Sequence, residues 1–132
     1  MFTSGLVNLY TNDIEAGIRF YGDLLGFTET FRTPTSGIPE HVELRLGGFV
    51  VGLGTVEAAR RVHGIEPSPG SPAMDLVVWT DDVDAAFASL VAAGVPVDQP
   101  PRDAGNNNRH ALLRDPDGNL VEIVGKISDS EG

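Results

Sequence analysis

Alternating apolar and polar positions open the chain. From Leu6 to Thr11, Val7 and Leu9 fall on one face and Leu6, Asn8 and Tyr10 on the other, the two-residue period of a strand covered on one side. The period then changes to that of a helix. Ile14, Ile18, Tyr21 and Leu25 share one stripe, so a helix is predicted from Asn12, whose side chain can cap it with Glu15 three residues on, to Gly26, which ends it. Strands are predicted next at about 27–32, 41–47 and 49–54, the last two joined by Gly47 and Gly48 as a tight hairpin.

The same succession then repeats. A strand is predicted from Asp75 to Thr80, a helix from Asp82 to Ala93 closed by Gly94, and strands near 95–98, 109–114 and 119–125, with Asp115-Pro116-Asp117-Gly118 as the last turn. The repeat is legible residue against residue at an offset of about 69: HVELR (41–45) matches HALLR (110–114), pairing His41 with His110 and Arg45 with Arg114. GGFVVGL (47–53) then matches DGNLVEI (117–123) one residue further on. A repeat of this size is a whole supersecondary unit, too small to hold a core alone. The expectation is one domain over 1–132, built from module 1 (about 1–57), a linker (about 58–73, Pro-rich over Gly64–Pro72), module 2 (about 74–126) and a short tail (127–132). Asp98–Asn108 reads as a surface loop.

Charge and composition narrow the partners. Nineteen acidic against nine basic residues give a net charge of −10, which disfavours nucleic acid and anionic membrane surfaces and suits a neutral or cationic ligand. No apolar stretch approaches the roughly 20 residues of a membrane span, and no basic, then apolar segment opens the chain, so a cytoplasmic protein is expected. The absence of cysteine excludes disulfides, thiolate metal ligands and a cysteine nucleophile. No serine triad, phosphate loop or nucleotide fingerprint is present, and Thr3, Ser4 and Ser128 have no evident partners.

Tandem βαβββ modules, the segment DIEAGIRFYGDLLGF in the first and RDPDGNLVEIVG in the second resemble the vicinal oxygen chelate superfamily of glyoxalases, ring-cleaving dioxygenases and bleomycin resistance proteins. The resemblance spans nearly the whole chain. It implies an α+β fold in which each module curls a mixed sheet into half a barrel, with helices outside and a ligand cavity on the concave face, and in which two chains often form a homodimer. It does not choose among lyase, isomerase, dioxygenase and binding protein. In metal-dependent members it implies ligands at four positions, which fall here at Leu6, Gly52, Asp75 and Glu122. Two of these have no donor side chain, and two carboxylates without an imidazole favour at best a weakly held Mg²⁺. No cofactor is therefore expected, with a weak divalent metal on Asp75 and Glu122 as the exception.

Carried through the strand alternation, the concave face presents Asn8, Tyr10, Gly52, Asp75, Trp79 and Glu122 as ligand-binding candidates, to which His41 and His110 are added. Gly52 and Gly54 either deepen a cavity or mark a bulge. Trp79, the only tryptophan, offers a stacking surface if it is not simply core. His41 and His110, with Arg45 and Arg114, lie opposite Val42 and Leu44, toward cavity or solvent; they serve structure or edge protection, or a His at the rim acts as acid or base. No catalytic residue is assigned beyond His110 as a candidate, and His63 reads as surface. The expected function is metal-independent binding of a small organic molecule, such as sequestration of an antibiotic or other cationic or aromatic compound. The alternative is a lyase, isomerase or dioxygenase-type enzyme using Asp75 and Glu122.

Overall fold

The computed structural model describes residues 1, 3–70, 74–105 and 107–127. The expected tail from Ser128 onward, linker residues 71–73 and Asn106 of the expected loop lie outside them. Two compact units divide the chain, Met1–Pro69 and Gly70–Gly132, and each contains one module.

In the first unit, β1 (Val7–Thr11) leads into α1 (Ile14–Ile18), which runs on as a π-helical stretch over Arg19–Leu24; β2 (Thr28–Thr33), β3 (His41–Leu46) and β4 (Phe49–Thr55) follow. The sheet order is β1-β4-β3-β2, with β1 parallel to β4 and the other pairs antiparallel. Parallel neighbours need a crossover, and α1, β2 and β3 supply it. Alternation sets the core: Val42 and Leu44 of β3 and Val51 and Leu53 of β4 are buried together with Ile14, Phe20 and Tyr21 of the helix. The rings of Phe20, Tyr21, Phe27 and Phe49 meet edge to face in sequence.

The second unit repeats this with β5 (Asp75–Trp79), α3 (Val83–Ala92), β6 (Val97–Asp103), β7 (Asn108–Arg114) and β8 (Leu120–Lys126), in sheet order β5-β8-β7-β6 with β5 parallel to β8. Leu76, Leu90, Ala111, Leu113, Val121 and Ile123 form its core. Both units start their helix by one device. Thr11 Oγ1 accepts from Asp13 N–H and Asp13 Oδ1 from Ala16 N–H; Thr80 Oγ1 accepts from Asp82 N–H and Asp82 Oδ1 from Ala85 N–H. The hairpin at Gly47 and Gly48 forms as expected, with Leu46 opposite Phe49. The Asp115 turn is held by a buried carboxylate: Oδ1 accepts from Asp117 and Asn119 N–H at 2.9 and 2.8 Å, and Oδ2 from the Asn119 amide at 2.9 Å.

Four expectations change. The first helix is capped by Asp13, not Asn12, because the Thr11 hydroxyl fixes the turn one residue later. The helix then widens into a π turn, and consecutive Phe20 and Tyr21 are both buried. The expected linker is helical in its first part: α2 (Val56–Ala58) begins at the Thr55 cap and continues as a π-helical stretch over Ala59–His63 to left-handed Gly64. Much of the expected loop at 98–108 is strand, since β6 runs to Asp103 through Pro100 and Pro101. It does so as an edge strand with two breaks in register, where a missing N–H is tolerated. Among the described residues no helix is long and apolar enough to cross a membrane.

Candidate functional site

The helix-free face of the first unit meets α2 at a cavity of about 380 Å³. Asn8 and Tyr10 from β1, His41 from β3 and Gly54 from β4 form one side; Ala58, Ala59, Val62 and His63 form the other. Strand register explains the meeting, because Tyr10 pairs with Gly54 and Gly54 with His41. A Cβ at Gly54 would stand 3.7 Å from the Tyr10 ring, so the glycine lets that ring lie against the strand. Gly52 deepens nothing by itself, since the Asn8 amide oxygen fills the space its Cβ would take and His41 Cε1 borders it at 3.1 Å.

Polar groups line this cavity with little net charge. His41 Nε2 lies 3.2 Å from Glu43 Oε2, and Glu40 is paired with Arg61 at 2.6 Å. The Thr55 hydroxyl caps α2. Asn8, Tyr10, Thr33 and His63 also line the cavity, and their side chains make no hydrogen bond among the described residues. His63, taken from sequence as surface, thus lines the cavity although it is exposed. Its signal was the cap residue Thr55 and the terminating Gly64, which together mark a helix that carries His63 back over the sheet.

In the second unit, one polar chain crosses all four strands of the helix-free face. Arg102 Nε on β6 donates to His110 Nε2 on β7 at 3.2 Å; His110 Nδ1 stands 3.6 Å from Glu122 Oε2 on β8; Glu122 in turn neighbours the Asp75 carboxyl on β5. Burial pushes the Glu122 carboxyl up, and Asp75 beside it pushes the same way against the pull of His110. Because Arg102 can only donate, His110 Nε2 is the acceptor, and the neutral ring has no lone pair left for a ligand's proton. Arg114, the repeat partner of Arg45, serves structure: it binds Asp98 at 2.7 Å and the Gly118 carbonyl at 2.9 Å.

Trp79 is not core. It is 62% exposed, and the Lys126 ammonium lies 5.9 Å from its ring centre. The eight ligand-binding candidates therefore separate by unit, with Asn8, Tyr10, His41 and Gly52 in the first and Asp75, Trp79, His110 and Glu122 in the second. The residues do not fit a transition metal. Leu6 lies outside β1 and is apolar, Gly52 is covered by Asn8, and Glu122 is engaged with Asp75. Among the described residues no group of three or more His, Cys, Asp or Glu is placed to hold a metal ion.

Similarity to known proteins agrees with this architecture. A virulence protein of Salmonella typhimurium is 29% identical over 87% of this chain and 78% of its own length. The Mycobacterium bovis protein named "Putative glyoxylase CFP32" is 31% identical over 92% of this chain, which spans 44% of that relative's length. The solved structure of a glyoxalase-related enzyme from Fulvimarina pelagi matches with a TM-score of 0.77 and 27% identity, over 96% of this chain and 89% of that one. The model of the glyoxalase/bleomycin resistance protein/dioxygenase superfamily matches residues 4–123. With that match over most of its length and two βαβββ units that keep the fold, the chain belongs to the glyoxalase/bleomycin resistance protein/dioxygenase superfamily.

Proposed function

We propose that the protein binds a small, planar organic molecule without a metal, in the cavity between β1, β4 and α2 of the first unit. The observation that carries this reading is the cavity itself: about 380 Å³, within the usual range for small-molecule sites, with apolar Ala58, Ala59 and Val62 beside Asn8, Tyr10, Thr33 and His63, whose side chains have no partner among the described residues. Binding needs complementarity and no chemistry, so it is compatible with family metal positions occupied by Leu6 and Gly52. Since Glu40 is already matched by Arg61, an uncharged aromatic with hydrogen-bonding substituents fits this cavity better than a cation. Sequestration of such a compound, an antibiotic among them, is the corresponding role.

The test is calorimetric titration of a panel of planar antibiotics and aromatic metabolites into native and chelator-treated protein, with metal content measured on both. At least one compound should bind, its affinity should survive chelation, and Tyr10→Ala should weaken it about tenfold, or about 1.4 kcal/mol. Affinity that disappears with the metal, or a full equivalent of transition metal in the native protein, would overturn the reading.

A second reading, an acid–base lyase or isomerase, is favoured by one observation. Glu122 is an acid pushed toward its neutral form beside Asp75, the kind of perturbed group that reaction sites use. Turnover of a carbonyl substrate that is abolished in Glu122→Gln and kept in Tyr10→Ala would establish it over sequestration.

A further inference from the structure

The repeat places Trp79 where the first unit has Tyr10, at the same step of the first strand. In the first unit that aromatic ring lines a cavity. In the second, no helix follows β8 among the described residues; instead the ring borders a depression of about 470 Å³ whose other residues are Thr80, Asp81 and Lys126. The chain contains one tryptophan and one lysine, and they meet here. Neither Lys126 nor Asp81 has an ion pair among the described residues, so an open ring is flanked by one unspent positive and one unspent negative group.

We propose that this depression is a second ligand site, independent of the cavity in the first unit, and that it takes a small aromatic zwitterion of the aromatic amino acid class. The ligand ring stacks on the Trp79 indole, its carboxylate meets the Lys126 ammonium, and its ammonium meets the Asp81 carboxylate. The exchange favours binding for a physical reason. At an exposed site a lysine over an aromatic ring is held weakly, whereas the same ammonium on a carboxylate makes a charge-assisted hydrogen bond, and the flexible lysine stem can swing from one to the other. The freed indole face then takes the ligand ring. Opposite charges on either side of the ring also set the selectivity, since a simple carboxylate faces Asp81 unmatched and a simple amine faces Lys126 unmatched.

Trp79 is its own probe, because all tryptophan emission comes from this site. Emission is titrated with phenylalanine, 3-phenylpropionate and phenethylamine in the full chain, in Lys126→Met, in Asp81→Asn and in Tyr10→Ala. Phenylalanine should change the emission saturably and bind at least fivefold tighter than either singly charged analogue. Lys126→Met should bring its affinity down to that of phenethylamine, Asp81→Asn should bring it down to that of 3-phenylpropionate, and Tyr10→Ala should leave all three unchanged. Equal affinities for the three compounds, no saturable change with phenylalanine, or indifference to both charge substitutions would overturn the proposal. A loss in Tyr10→Ala would overturn the independence of the two sites. Because the cavity in the first unit is tested by its own panel and by Tyr10, either proposal can fail while the other stands.

Discussion

Glu122 sits where its neutral form is favoured, half-buried beside Asp75, and this has a definite sign in stability. A carboxyl whose native pKa is raised holds its proton more tightly when folded than when unfolded. Its contribution is fully present below the ordinary carboxylate value, about pH 4, and is lost as pH rises through the raised native value. Glu122→Gln keeps the shape and stays neutral, so it removes that slope. Thermal melts at constant ionic strength should give similar melting temperatures for the two proteins near pH 4 and a more stable variant near pH 7. Parallel curves across that range would mean that Glu122 ionises freely. The association of Glu122, Asp75 and His110 was partly legible in the sequence, since a period of two puts all three on one face. Arg102 was not, because it lay in a segment whose prolines and polar residues read as loop. It is Arg102 that fixes the His110 tautomer and takes away the lone pair a base would need.

Elements followed the sequence wherever a local signal and the tertiary structure agreed. Glycines at positive φ end both helices and form the hairpin, and Thr-x-Asp starts both helices, so these points are decided within a few residues. The misses occurred where context overrode propensity. Pro100 and Pro101 sit in β6 because an edge strand has N–H groups that need no partner, and the apolar pattern that would announce a strand is absent there. The helix at 56–63 is short and half polar, so its cap and its terminating glycine were the only cues. The turn at Asp115 is the opposite case, a motif whose sequence states its structure. A buried carboxylate accepts three hydrogen bonds there, and the Asn119 side-chain Oδ1 it helps to place accepts from Gly70 N–H at 3.1 Å. Asp115→Ala would leave two backbone donors without that acceptor in a half-buried turn. Its unfolding free energy in urea should fall by about 3 kcal/mol, whereas loss of the solvent-exposed helix cap in Asp82→Ala should remove about 1 kcal/mol. Equal losses would show that the turn is held by its backbone alone.

Each sheet in the molecule has two edges, and they are not alike. In the second unit β6 is a guarded edge, broken twice in register and carrying two prolines, and in the first unit β2 has a break between Glu29 and Phe31 together with an Arg32–Glu29 ion pair. The other edges, β1 and β5, carry neither bulge nor proline: VNLYT and DLVVW pair in unbroken register with β4 and β8 on one side. Of the two, β1 also presents an exposed apolar side chain away from Trp79, that of Val7. An unguarded edge is a template for pairing with another strand, and a twofold pair of chains joined along β1 covers the same patch on both at once. A homodimer is therefore expected, with a mass by light scattering of about twice 14.0 kDa. Introducing a charge on the β1 edge, as in Val7→Lys, should shift the mass toward the monomer while the far-ultraviolet dichroism stays unchanged, since Val7 is exposed within its own chain. A native protein that scatters as a monomer at high micromolar concentration would overturn that expectation.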